Sequence, residues 1–245
     1  MKKIAIFTEG LTEQLFVAEV IKFLAAKQNY AIKNEKLYGG RRFPTITMAV
    51  DGDEGDPDNC DFYFLLLDCG TDSRVVSAIG ERYNGLISSG YTDIIGVRDL
   101  APSFKREQLE RLVAGSRSEL PNDPIDPLLV VAVMEAEAWF IAENTHFVRI
   151  DGRLTNQVIF EATGVDVSAD ASQIERPSQE LPRIYQIAEL AYDKAREQVG
   201  RTLAALDMEH YRDDGAFQRA ASLKPLFERI QTIFIGQTTV EATAG

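Results

Sequence analysis

Four apolar residues, Ile4-Ala5-Ile6-Phe7, stop at Thr8-Glu9-Gly10, and an amphipathic stretch follows from Thr12 to about Lys27. Its apolar positions Val17, Val20, Ile21 and Leu24 recur at helical spacing. The opening therefore reads as strand, tight turn and helix, with Thr12 as the expected N-cap. A second strand is expected over Thr45 to Val50. Phe62 to Leu67, FYFLLL, is apolar without interruption, as in a central strand covered on both faces. A helix is expected from about Ser73 to Ser88, then a fourth strand over Ile94 to Val97. Ser103 opens a charged helix to about Ser116, and a fifth strand covers Leu128 to Met134. Strands alternating with helices predict an α/β fold, with a mainly parallel sheet and helices on both faces.

Beyond Trp139 the pattern weakens. Residues 144–171 read as a small excursion, 181–206 as a helix, and 214–235 as one or two shorter helices. The expected organisation is an α/β core over 1–143, a mainly helical extension packed on it over 144–236, and a frayed tail over 237–245.

Acids follow the expected strands. Glu9 follows the first, Asp68 the third and Asp99 the fourth, and the pair Glu135 and Glu137 follows the fifth. In open α/β sheets the carboxyl ends of the strands are where ligands bind. Glu13 falls in the first turn of the first helix, and Asp72 lies four residues beyond Asp68. Glu135 and Glu137 share a face if they are still in a strand and diverge if they are already helical. Carboxylates gathered on one sheet edge suit hard cations such as Mg²⁺ or Mn²⁺.

Composition narrows the chemistry. The chain has 245 residues, only two histidines, and two cysteines without metal-ligand spacing, so zinc is not expected and Cys60 and Cys69 read as free thiols. There is no P-loop, Rossmann fingerprint or serine-hydrolase elbow. The acidic run Asp51 to Asp61 lacks the EF-hand pattern and reads as a solvated loop. The net charge of −12 is a poor footprint for holding nucleic acid tightly and alone. It points to transient substrate contact or to a basic partner. No apolar run approaches the roughly 18 residues of a membrane span, and the start lacks a signal-peptide core, so a cytoplasmic protein without membrane contact is expected.

Ile4 to Glu13, with its strand, glutamate, glycine and Thr-Glu pair, resembles the first motif of Toprim (topoisomerase–primase) domains. Phe62 to Asp72 resembles the Toprim aspartate motif, with Gly70 where the second aspartate usually stands and Asp72 as the nearest later acid. Met134 to Phe140, MEAEAWF, and Tyr192-Asp193-Lys194 resemble motifs of small bacterial Toprim-like proteins related to OLD-type anti-phage nucleases. The resemblance implies a Toprim-like, Rossmann-like fold and Mg²⁺- or Mn²⁺-dependent cleavage of nucleic acid in anti-phage defence. Glu9 and Lys194 would be catalytic, and Asp68, Asp72, Glu135, Glu137 and Glu13 would hold metal. The alternative is a non-catalytic Toprim-like module that docks onto an ATPase or another defence protein. Self-association is open under either reading.

Overall fold

The computed structural model describes residues 1–40, 43–212 and 215–235. Arg41, Arg42, Asp213, Asp214 and residues 236–245, with them the tail expected over 237–245, lie outside the described residues. Six strands are described: β1 Lys2–Thr8, β2 Tyr30–Gly40, β3 Phe43–Ala49, β4 Phe62–Asp68, β5 Tyr91–Asp99 and β6 Leu128–Ala132. Eleven α-helices accompany them: α1 Leu11–Ala25, α2 Asp72–Ser88, α3 Leu109–Glu119, α4 Glu137–Ala142, α5 His146–Ile150, α6 Asn156–Thr163, α7 Pro177–Gln186, α8 Arg196–Ala205, α9 Met208–Arg212, α10 Gly215–Arg219 and α11 Lys224–Ile235. The sheet order is β3-β2-β4-β1-β5-β6. Strands β2, β4, β1 and β5 run parallel, and β3 is antiparallel to β2. The fold class is therefore α/β, with a mostly parallel sheet.

Four boundaries differ from the sequence pattern. Strand β2 was not expected, because Lys33, Glu35 and Lys36 interrupt its apolar positions. Gly10, not Thr12, is the N-cap of α1, and its φ of −157° is extended backbone open to any residue. Strand β6 ends at Ala132, and Met134 takes a left-handed φ of 67°, so the following glutamates do not continue a strand. The single helix expected over 181–206 is broken between α7 and α8, where Glu189 and Lys194 have φ of 61° and 66°. Left-handed residues cannot continue a right-handed helix.

Contacts divide the chain into two compact units. The first comprises Met1–Arg98, Arg111–Val130 and the segment from Pro225. The second comprises Asp99–Glu110 and Val131–Lys224. Residues 131–143 thus group with the second unit, and 225–235 group with the first.

In the first unit, Ile4 to Phe7 and Leu66 and Leu67 are fully buried. Phe7, Leu67 and Ile94 pack with Val75 and Ile79 of α2 in one apolar cluster. The approach is so close at Gly96 in β5 that a Cβ there would stand 2.9 Å from Ile79 Cδ1. Phe234 of α11 packs on Phe62 and Phe64, with ring centroids 4.8 and 5.6 Å away. The second unit is helical around buried Trp139, whose Nε1 donates to Ser222 Oγ at 3.1 Å. No described helix is long and apolar enough to cross a membrane.

Candidate functional site

Parallel pairing lines up one residue from each of four strands at the carboxyl edge of the first unit's sheet. Lys36 of β2 pairs with Asp68 of β4, Asp68 with Thr8 of β1, and Thr8 with Val97 of β5. Neighbouring strands lie roughly 4.8 Å apart. Glu9 is the next residue along, and its N–H donates to Val97 O at 3.1 Å. Glu9 is half-buried. Glu9 therefore follows the Thr8 that pairs with Asp68, and both acids lie at the carboxyl edge of this sheet.

Two glutamates of the first motif have different surroundings. Glu13 is buried, and its Oε2 accepts the Gly10 N–H at 3.0 Å, so this carboxylate caps its own helix. Gln14 is buried beside it, and its Nε2 donates to Glu35 O and Leu66 O, both at 3.0 Å. That one amide fastens the first turn of α1 to β2 and β4 just before Lys36 and Asp68.

The loop after β4 is shaped around Asp68. Its carboxyl is 2% exposed; Oδ1 accepts the Gly70 N–H at 2.8 Å, and Oδ2 lies 2.7 Å from Lys36 Nζ. Gly70 has φ 82°, a conformation in which glycine carries no side-chain strain. Cys69 is buried, and burial pushes its thiol up to about 12, so it is no nucleophile at neutral pH. Asp72 opens α2 and pairs with buried Arg98 at 3.3 Å.

The donor chemistry suits Mg²⁺. Asp68 offers a hard oxygen whose charge partner is the tip of a flexible lysine, a stand-in for a cation. Among the described residues no three Asp, Glu, His or Cys side chains converge as a metal cluster. Mg²⁺ binds through one or two carboxylates, with waters and substrate phosphates completing its shell. Asp68 offers one such carboxylate, and the Lys36 ammonium 2.7 Å from it balances the charge that a cation would otherwise balance.

In the second unit the expected glutamate pair separates. Both Glu135 oxygens are taken by Ser178, from its N–H at 2.8 Å and its hydroxyl at 2.7 Å. Glu137 begins α4, is fully buried, and pairs with Lys194 Nζ at 2.9 Å. The Tyr192 hydroxyl lies 3.4 Å from the same Glu137 oxygen, while Oε2 is buried without a hydrogen-bond partner among the described residues. The Glu137 and Tyr192–Lys194 segments thus meet in space. Asp99 is buried, and its Oδ1 accepts the Ala136 N–H at 2.9 Å.

Removing one partner of a buried pair leaves the other charge uncompensated. Lys194 is 42% exposed, which tempers the effect. Lys194→Ala is expected to destabilise the second unit by about 1–3 kcal/mol. Adding Glu137→Gln should recover part of that loss. Urea titration followed by Trp139 fluorescence checks it, and strictly additive effects would show that the two groups are uncoupled.

A buried polar network completes this unit. Glu143 is fully buried and pairs with Arg149 at 2.7 Å. It also accepts from the Thr145 hydroxyl and from the N–H groups of Thr145 and Asp207, both at 3.2 Å. His146 is fully buried, with Nδ1 2.6 Å from Glu143 O and Nε2 3.1 Å from the Tyr185 hydroxyl. A carbonyl only accepts, so Nδ1 carries the proton of the neutral ring and Nε2 accepts. Burial lowers the His146 pKa to about 4, with Arg149 opposing protonation as well.

The folded-state value lies below the unfolded 6.5, so this contribution to stability is complete above pH 6.5 and is lost as pH falls toward 4. The full difference is about 3 kcal/mol. Fluorescence-detected unfolding between pH 7 and 4 should show this loss in the wild type and a shallower one in His146→Gln. Equal slopes would assign the acid sensitivity to other groups.

Sequence reasoning missed Lys36, Arg98, Gln14 and Glu143. For Arg98 a signal was present: a charged residue ending an apolar strand needs a partner. Comparison of the chain with models of protein families, with curated proteins and with solved structures finds no match in any of the three.

Proposed function

We propose that this chain is a Toprim-like, Mg²⁺- or Mn²⁺-dependent nuclease acting in bacterial anti-phage defence. The observation that carries the reading is the in-register edge: buried Asp68 on β4 beside Thr8–Glu9 on β1, with Lys36 Nζ standing 2.7 Å from Asp68. Asp68 is the principal metal carboxylate in this reading, with Glu9 adjacent. Asp72 would join once it is released from Arg98. A bound divalent ion would supply Lewis-acid stabilisation of a phosphodiester and a more acidic water. Glu9 would take the proton from the attacking water or return one to the leaving oxygen. Lys36, displaced from Asp68, would remain near enough to face phosphate charge. Glu13 caps a helix in this scheme rather than serving as a ligand. Glu135, Glu137 and Lys194 form the second unit's polar sites, and the motif resemblance implies a catalytic role for Lys194.

A second reading is favoured by one observation. Asp68, Asp72 and Glu137 are each neutralised by a basic side chain of the chain itself, Lys36, Arg98 and Lys194. A non-catalytic module that docks onto an ATPase or other partner protein would need no metal, and such pairs would then be its resting structure.

Plasmid DNA, single-stranded DNA and structured RNA, each with Mg²⁺, Mn²⁺ or chelator, separate the two. The nuclease reading expects cleavage of at least one substrate, strongest at low salt, and none with chelator. No cleavage in any combination, with and without the products of neighbouring genes, would replace it with the docking module.

A further inference from the structure

The second unit contains a cavity of about 530 Å³ that the proposed chemistry does not use. Its volume falls within the roughly 300–1,000 Å³ range of small-molecule sites. Phe104 and Met134 give it an apolar wall, and Lys105, Arg106 and Arg176 give it three cations. The Arg106 guanidinium is held at two of its nitrogens: Nε donates to Ser172 O at 2.9 Å, and Nη1 to Glu175 Oε1 at 3.0 Å. The third nitrogen, Nη2, is buried and has no hydrogen-bond partner among the described residues. The guanidinium is thereby fixed at the cavity wall with one hydrogen-bonding capacity unsatisfied, and its charge favours an anionic oxygen in the cavity. Lys105 and Arg176 are exposed around it.

The N-terminus of α7 opens on the same cavity, but Glu135 already accepts the Ser178 N–H there at 2.8 Å. The seat for an anion is therefore Arg106 and not the helix end. Glu107, Glu135 and Glu175 also line the cavity. Their charge weakens binding of a bare phosphate, so a ligand must also use the apolar wall. We propose that this cavity binds a nucleotide, with its phosphate on Arg106, Lys105 and Arg176 and its base against Phe104 and Met134. The inference does not depend on the nuclease reading, because it involves neither a metal nor cleavage.

The test is titration of the full chain, in chelator, with ribonucleoside mono- and triphosphates, adenosine and inorganic phosphate. Calorimetry and Trp139-detected melting are the readouts. At least one nucleotide should bind and raise the melting temperature by mass action. Adenosine and inorganic phosphate should bind at least tenfold more weakly. Arg106→Gln should lose at least tenfold in nucleotide affinity with its circular dichroism unchanged. Should that variant fail to fold, the exposed double variant Lys105→Gln/Arg176→Gln carries the same expectation. Absence of nucleotide binding at millimolar concentration would overturn the proposal. So would phosphate binding equal to nucleotide binding, or folded variants that bind like the wild type.

Discussion

Glu143→Ala is expected to destabilise the second unit by about 3 kcal/mol, because it strands the hydrogen-bond donors of a buried carboxylate, while the Arg149 side chain it leaves behind is 40% exposed and keeps water. The carboxylate is fully buried and serves Arg149, both polar hydrogens of Thr145, and the Asp207 amide. Alanine removes the acceptor and leaves those donors beside a small void. Domains are commonly stable by only about 5–15 kcal/mol, so this is a large share. Trp139 is the only tryptophan, and it lies buried in the same unit, so its fluorescence reports this unit selectively. With a slope of about 1–3 kcal/mol per molar urea, the midpoint should fall by at least about 1 M. Glu143→Gln keeps an acceptor oxygen and should fall less. An unchanged midpoint for Glu143→Ala would mean that the network adds nothing to stability.

Glu9→Gln is expected to lower metal-dependent cleavage by about 10²- to 10⁴-fold, the usual share of a general acid or base. The substitution preserves size and leaves the Glu9 N–H free to bond Val97 O, which is 3.1 Å away. Circular dichroism, elution volume and melting temperature should therefore stay at wild-type values. The loss should appear in the rate at saturating metal rather than in the metal concentration needed for half-maximal rate. Wild-type cleavage by Glu9→Gln would remove Glu9 from the chemistry. A variant that cuts normally once metal is raised would make it a ligand instead.

The sheet was legible where its strands are apolar. Phe62 to Leu67 announces a central strand, and the parallel register then fixes Asp68 beside Thr8 and Glu9. Strand β2 was hidden because three of its residues, Lys33, Glu35 and Lys36, are charged. Missing that strand meant missing Lys36, the cation on Asp68. Spacing posed the right question about Glu135 and Glu137 without answering it. The left-handed turn at Met134 and the start of α4 send them to different partners, Ser178 and Lys194. Glu143 was illegible for a different reason. Its role depends on the Asp207 amide, 64 residues away, and no local pattern encodes that contact.

On the proposed reading, the strand edge at Asp68 holds a divalent cation in place of the Lys36 ammonium. Loss of the free Mn²⁺ resonance on titration with protein measures this directly, without substrate or turnover. The wild type should bind Mn²⁺ saturably and release it to excess Mg²⁺. Asp68→Asn should lose that binding, and Lys36→Met should tighten it by removing the competing charge. Wild-type protein that leaves free Mn²⁺ unchanged at millimolar concentration, or binding that is the same in Asp68→Asn, would contradict the claim.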